Sequence, residues 1–213
     1  DRLASDLAFD NCTFAEGYEC YLGADKDWQD GNYPTPVSGK TTMTFVGNAP
    51  VVKASEGLQN VTVNGAKVNV DKFLQKATGN VLIDKFEISS DKTWSFNKGM
   101  TVGEGVTLTN NGTLNVKGID NVADLQAAVA VSANNIGLEA GKYELASHLF
   151  IAKPISIEGT ITDKDSTIIK AASNWSGSDN ATKNLVRIDA SKTSLKNLLV
   201  EGCTSGSGIH VFK

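Results

Sequence analysis

Arginine is nearly absent from the 213-residue chain: only Arg2 and Arg187 occur. The second stands in the run Arg187-Ile188-Asp189, and on a strand a spacing of two puts both charged groups on one sheet face. Such a pair is either an ion pair on a solvated face, bridging neighbouring elements, or the start of a reactive cluster. A second candidate is the most acidic stretch, Asp25-Lys26-Asp27-Trp28-Gln29-Asp30-Gly31-Asn32. Alternating carboxylates at Asp25, Asp27 and Asp30 beside a glycine can wrap a hard cation, so calcium is the one cofactor the sequence raises. The spacing departs from an EF-hand, because Asp30 takes the place of the glycine, and a solvated turn is the plainer expectation. Trp28 and Tyr33 in this region, and Trp175 between Asn174 and Ser176, could stack on sugar rings or pack their own loops.

The remaining reactive residue types make no recognisable set. Cys12, Cys20 and Cys203 lack metal-ligand spacing and are odd in number. They read as small interior hydrophobes, with a Cys12–Cys20 disulfide left open. His148 and His210 are far apart in sequence and have no serine or cysteine pattern beside them. No phosphate loop, zinc pair or dinucleotide fingerprint is present. Five Asn-x-Ser/Thr sequons, at Asn11, Asn60, Asn111, Asn174 and Asn180, arise readily in a chain rich in Asn and Thr.

The elements that must carry these residues are short strands. Twenty glycines and 18 asparagines against four prolines favour many tight turns with positive φ. Between the turns lie period-2 or apolar runs, including Thr42–Val46, Asn60–Val63, Val81–Ile83, Gly105–Leu108, Thr113–Val116, Ile155–Ile157 and Thr167–Ile169. Short strands at even spacing suit a sandwich, a barrel or a solenoid. Two self-similarities favour the solenoid. At an offset of 55, Val70 falls on Leu125, Ile83 on Leu138, Phe96 on Ile151 and Val102 on Ile157. At an offset of 191, Leu7–Thr13 falls on Leu198–Thr204, with Cys12 on Cys203. The first repeat predicts an amphipathic helix near Asn121–Ala133, capped by Asn121 with Asp124 three residues on, and a shorter helix over Asp71–Thr78.

The stretch Asn121–Gly159 resembles the opening of right-handed parallel β-helix proteins of the pectin-lyase-like superfamily. A cap helix, Val122–Val129, is followed by the strand Asn135–Leu138. Gly141–Leu145 and Ile151–Gly159 then look like that family's first full coil, and Ser194–Phe212 like a later one. The resemblance implies an all-β right-handed parallel β-helix with one or two short helices capping or interrupting the coils. Inward side chains then stack on their equivalents one coil away, and turn asparagines stack similarly. An antiparallel sandwich is the alternative. Three parts are expected: coils over 1–69 with a long loop at 15–41, a short helix plus coils over 70–118, and a cap helix plus coils over 119–213 that continue past the end of the chain.

Members of that superfamily that cleave acidic polysaccharide hold calcium with clustered carboxylates and use Arg or Lys as base. Its hydrolases use paired aspartates on neighbouring coils. On that pattern Arg187 would be the base and Asp189 a metal ligand. The Asn-Thr-Asp, Asp-Asp and Arg-Ile-Lys patterns of the polygalacturonase branch are missing. The expectation is therefore a non-catalytic segment of a secreted or bacterial cell-surface protein, making adhesive or glycan contacts through loops that carry Trp28, Tyr33 and Trp175. The alternatives are a polysaccharide lyase or glycoside hydrolase, and a structural spacer. Partners would be glycans or a host or cell-surface protein, with end-to-end self-association. A net charge of −4 argues against nucleic acid. No run reaches the roughly 18 apolar residues of a membrane span.

Overall fold

The computed structural model describes residues 6–16, 19–22, 40–47, 49, 51–54, 60–75, 81–162, 164–179, 182–202 and 206–212. It is mostly β, with parallel sheets and one helix, and divides into two compact units, Asp1–Val116 and Lys117–Lys213.

In the first unit, one sheet takes the strands Asp6–Asp10, Lys40–Val46, Asn60–Asn64, Thr93–Phe96 and Thr113–Ile119 in that order. All are parallel to their neighbours in the unit. Between visits to this sheet the chain supplies a second parallel sheet from Glu19–Leu22, Val51–Ala54, Val68–Val70 and Met100–Val102. A third holds Lys85–Ile88 beside Thr107–Asn110. Alternation of small polar with apolar residues gives Asn60–Asn64 and Thr93–Phe96 one buried face each. Because the register is parallel, like stacks on like. Val61, Trp94 and Leu114 form one buried column, and Val63, Phe96 and Val116 another.

The second unit repeats the scheme more regularly, in three successive triplets of strands. The triplets are Asn135–Leu138, Gly141–Leu145 and Leu149–Ile151, then Ser156–Glu158, Thr167–Ala171 and Val186–Ile188, then Ser194–Lys196, Leu199–Glu201 and Ile209–Val211. Each member pairs in parallel with its counterpart in the next triplet. The antiparallel sandwich is thereby excluded, since Ser156–Glu158 runs parallel to both of its neighbours. The helix is Val122–Ala130, and the Asn121 side chain accepts from the Asp124 backbone N–H as the sequence predicts. Leu125, Ala128 and Val129 are buried on its inner face. Asp124 is buried with them, which the apolar pattern did not indicate.

Three sequence expectations need correction. Phe73–Gln75, within the shorter helix expected over Asp71–Thr78, is a strand in an antiparallel hairpin with Val81–Ile83. A helix of eight residues is marginal on its own, whereas the β-branched Val81 and Ile83 flanking Leu82 offer a ready pairing partner. Asp71, expected to open that helix, instead accepts from the backbone N–H of Lys72 at 2.7 Å. Second, the 55-residue offset is not the structural period. Val70, matched by that offset to Leu125 of the helix, pairs in register with Val102, and parallel partners in the first unit are 36, 33, 32, 22, 20 or 16 residues apart. Turn insertions vary the step, so an ungapped comparison cannot find it. Third, Cys12 is exposed and free, its thiol donating weakly to the Asp10 carbonyl at 3.6 Å. It lies just past the end of its strand, where the inward alternation has stopped.

Candidate functional site

The third sheet of the second unit carries the densest group of chemically able side chains. Phe150, Arg187 and His210 are register partners on its three strands. Leu149, Ile151, Val186 and Ile188, the neighbours of Phe150 and Arg187, are buried, so the alternation turns those two side chains outward; His210 shares their face by register, although its own neighbours Ile209 and Val211 are exposed. Arg187 donates from Nε to Asp189 Oδ1 at 2.9 Å and from Nη2 to Asp189 Oδ2 at 2.7 Å. This bidentate fork raises the guanidinium pKa further and holds the Asp189 carboxyl below the usual carboxylate range. The pair lies along one strand and its continuation, rather than bridging neighbouring strands.

Aromatic rings enclose the fork. The guanidinium carbon is 4.3 Å from the Phe212 ring centroid and 5.2 Å from that of Phe150. Phe212 in turn lies 4.1 Å from the His210 ring, and Phe150 lies 6.1 Å from His148. Both histidines of the chain and one of its two arginines therefore share one face. Sequence reasoning found Arg187 and Asp189 but missed Phe150, His210 and Phe212. The available signal was the period-2 step, His148-x-Phe150, Arg187-x-Asp189 and His210-x-Phe212. His210 is anchored from below by the buried Asn184, whose Nδ2 is 3.0 Å from the ring Nδ1.

Trp175 lies elsewhere in this unit. Its backbone N–H donates to the Ala172 carbonyl, and both the N–H and the hydroxyl of Ser176 donate to the Ala146 carbonyl at 3.1 Å. The half-buried indole presses on Gly177, where a Cβ would collide with it. The ring is thus packed into its own loop, and among the described residues its buried Nε1–H meets no acceptor. Trp28, Tyr33, Asp25, Asp27 and Asp30 lie outside the described residues. So does Cys203, while Cys20 is described only as part of its strand. Among the described residues no group of three or more His, Cys, Asp or Glu is placed to hold a metal ion, and no helix is long and apolar enough to cross a membrane.

Fold and site together define a mostly β protein with parallel sheets, bearing on one sheet of its second unit a charge-balanced cluster framed by aromatic rings. No family model, curated protein or solved structure matches the chain.

Proposed function

We propose that the chain is a non-catalytic segment of a secreted or surface-displayed right-handed parallel β-helix protein of the pectin-lyase-like kind, which contacts glycans. Three sheets visited in turn by in-register triplets are what successive coils of such a helix require. Parallel crossovers are right-handed in about 98% of cases, which favours that hand. The observation that carries the non-catalytic reading is the commitment of Arg187. A base for elimination must be able to lose its proton, and this guanidinium is held protonated by a carboxylate whose two oxygens it occupies.

The experiment is incubation of the chain with polygalacturonate and related uronates at millimolar calcium, following the ultraviolet absorbance of unsaturated product, alongside binding to a printed glycan array. Inactivity with glycan binding is expected. Turnover that is abolished in Arg187→Ala would overturn the reading in favour of a lyase.

A further inference from the structure

We infer that the outward face formed by Phe150, Arg187, Asp189, His210 and Phe212 is a docking patch for a neutral hexopyranose unit of a glycan, an inference that rests on the glycan-contacting reading above. Phe150 is the first reason. It is 44% exposed at a position flanked by buried Leu149 and Ile151. A large ring on the solvent side of a rigid strand offers an apolar, electron-rich face to which the C–H face of a pyranose can apply itself.

The second reason is the arrangement of donors and acceptors beside that ring. A guanidinium has five N–H donors, of which the fork with Asp189 uses those on Nε and Nη2. Among the described residues the Nη1 side makes no hydrogen bond. The carboxylate oxygens each accept one N–H and retain a further lone pair. A donor edge and an acceptor edge thus stand side by side, and adjacent sugar hydroxyls, each of which can donate and accept, match both. The third reason is charge. Arg187 and Asp189 cancel, so the patch supplies no net field for a uronate or a phosphate and complements an uncharged ring.

The cluster is also held in advance of binding. The fork fixes Arg187 in its plane, Phe212 and Phe150 bracket it, and Asn184 holds the His210 ring. Side chains already immobilised lose little further entropy when a ligand arrives.

The probes are the methyl pyranosides of glucose, galactose and mannose, titrated at millimolar concentrations into the isotopically labelled chain. The readouts are the Arg187 Nε–H resonance and the aromatic resonances of Phe150 and Phe212. Saturable shifts confined to this face are expected. Affinity should fall at least about tenfold in Phe150→Ala, which corresponds to about 1.4 kcal/mol. Phe150→Leu keeps the apolar volume without the ring and should lose binding similarly, so a folding defect in the alanine variant does not decide the outcome. Leu82→Ser, on an exposed strand of the first unit, should bind like the parent chain. If neutral sugars bind but Phe150→Ala and Phe150→Leu leave affinity unchanged, the patch is wrong and the glycan reading stands. If only acidic sugars bind here, the neutral assignment is wrong. If no sugar binds, both the patch and the glycan reading fall.

Discussion

The side-chain amide of Asn184 faces the imidazole of His210 across 3.0 Å, and the orientation of that amide is fixed from its other end. Asn184 Oδ1 accepts the backbone N–H of Ser207 at 3.0 Å, so Nδ2 is the atom turned towards His210 Nδ1. An amide nitrogen only donates, hence Nδ1 presents its lone pair and the ring proton sits on Nε2. In alkaline buffer, long-range nitrogen–proton correlation spectra should show His210 as the Nε2–H tautomer. Asn184→Asp should move the proton to Nδ1, because a carboxylate can serve Ser207 but can only accept from the ring. An unchanged tautomer in that variant would show that the amide does not control it.

Tyr143 should make the fold sensitive to strong alkali. Its ring is buried and its hydroxyl reaches the carbonyls of Ile119 and Glu139. Burial, then the neighbouring charges of Asp120 and Glu139, push its pKa from 10.0 up to about 12. The unfolded chain therefore loses this proton first. The contribution to stability is whole below pH 10.0 and falls as pH rises from there through about 12. Tyr143→Phe should flatten that decline. At neutral pH it should cost only about 1 kcal/mol, since Ile119 O still accepts from the Glu139 N–H and Glu139 O from the Thr167 hydroxyl. Denaturant midpoints across this pH range for the two proteins provide the check.

Gly65 and Gly47 both have positive φ, +74° and +89°, but differ in what surrounds them. A Cβ at Gly65 would strike the Phe45 carbonyl oxygen, whereas a Cβ at Gly47 would meet nothing within 4 Å. Gly47→Ala should cost the left-handed backbone penalty alone, about 1–2 kcal/mol. Gly65→Ala should cost clearly more, because the obstructing atom is backbone in the adjacent strand. Equal losses on thermal unfolding would mean that the neighbouring strand gives way freely.

The short strands and the helix with its Asn121 cap were legible in the sequence because each rests on local pattern, whereas the parallel direction of the strands came only from the family resemblance. What was not legible depends on register between distant strands. The column Val61, Trp94 and Leu114 spans steps of 33 and 20 residues, so turn length hides the repeat from any fixed offset. Cys12 shows the same limit: its likeness to Cys203 suggested an inward thiol, but two residues beyond a strand end the alternation carries no information. At the candidate site, Arg187 and Asp189 stood out because they are charged and close in sequence. Phe150 and Phe212 are brought to them only by parallel pairing across steps of 37 and 23 residues. Cys12 itself should react rapidly with a thiol reagent in the native protein, and slow labelling at this position would contradict its exposure.

The side-chain relay running across three strands of the first unit yields the last prediction. Asn97 Nδ2 donates to Asn64 Oδ1 at 2.7 Å, and Asn64 Nδ2 donates to Thr44 Oγ1 at 3.1 Å. Half-burial makes each bond matter, because removing one partner leaves the other poorly solvated. Asn64→Ala should cost about 1–2 kcal/mol, and a double-mutant cycle with Asn97→Ala should return a coupling of about 0.5–1.5 kcal/mol. Asn64→Asp should be nearly neutral. A carboxylate at 64 still accepts from Asn97, and the Thr44 hydroxyl can reverse its role and donate, so both links survive without an amide. Pairing Asn64→Asp with Thr44→Val removes that reversible donor, so the cost should return only in the double variant. If denaturant unfolding shows Asn64→Asp to have the same effect with Thr44 intact as in the Thr44→Val background, the relay ends at Asn64.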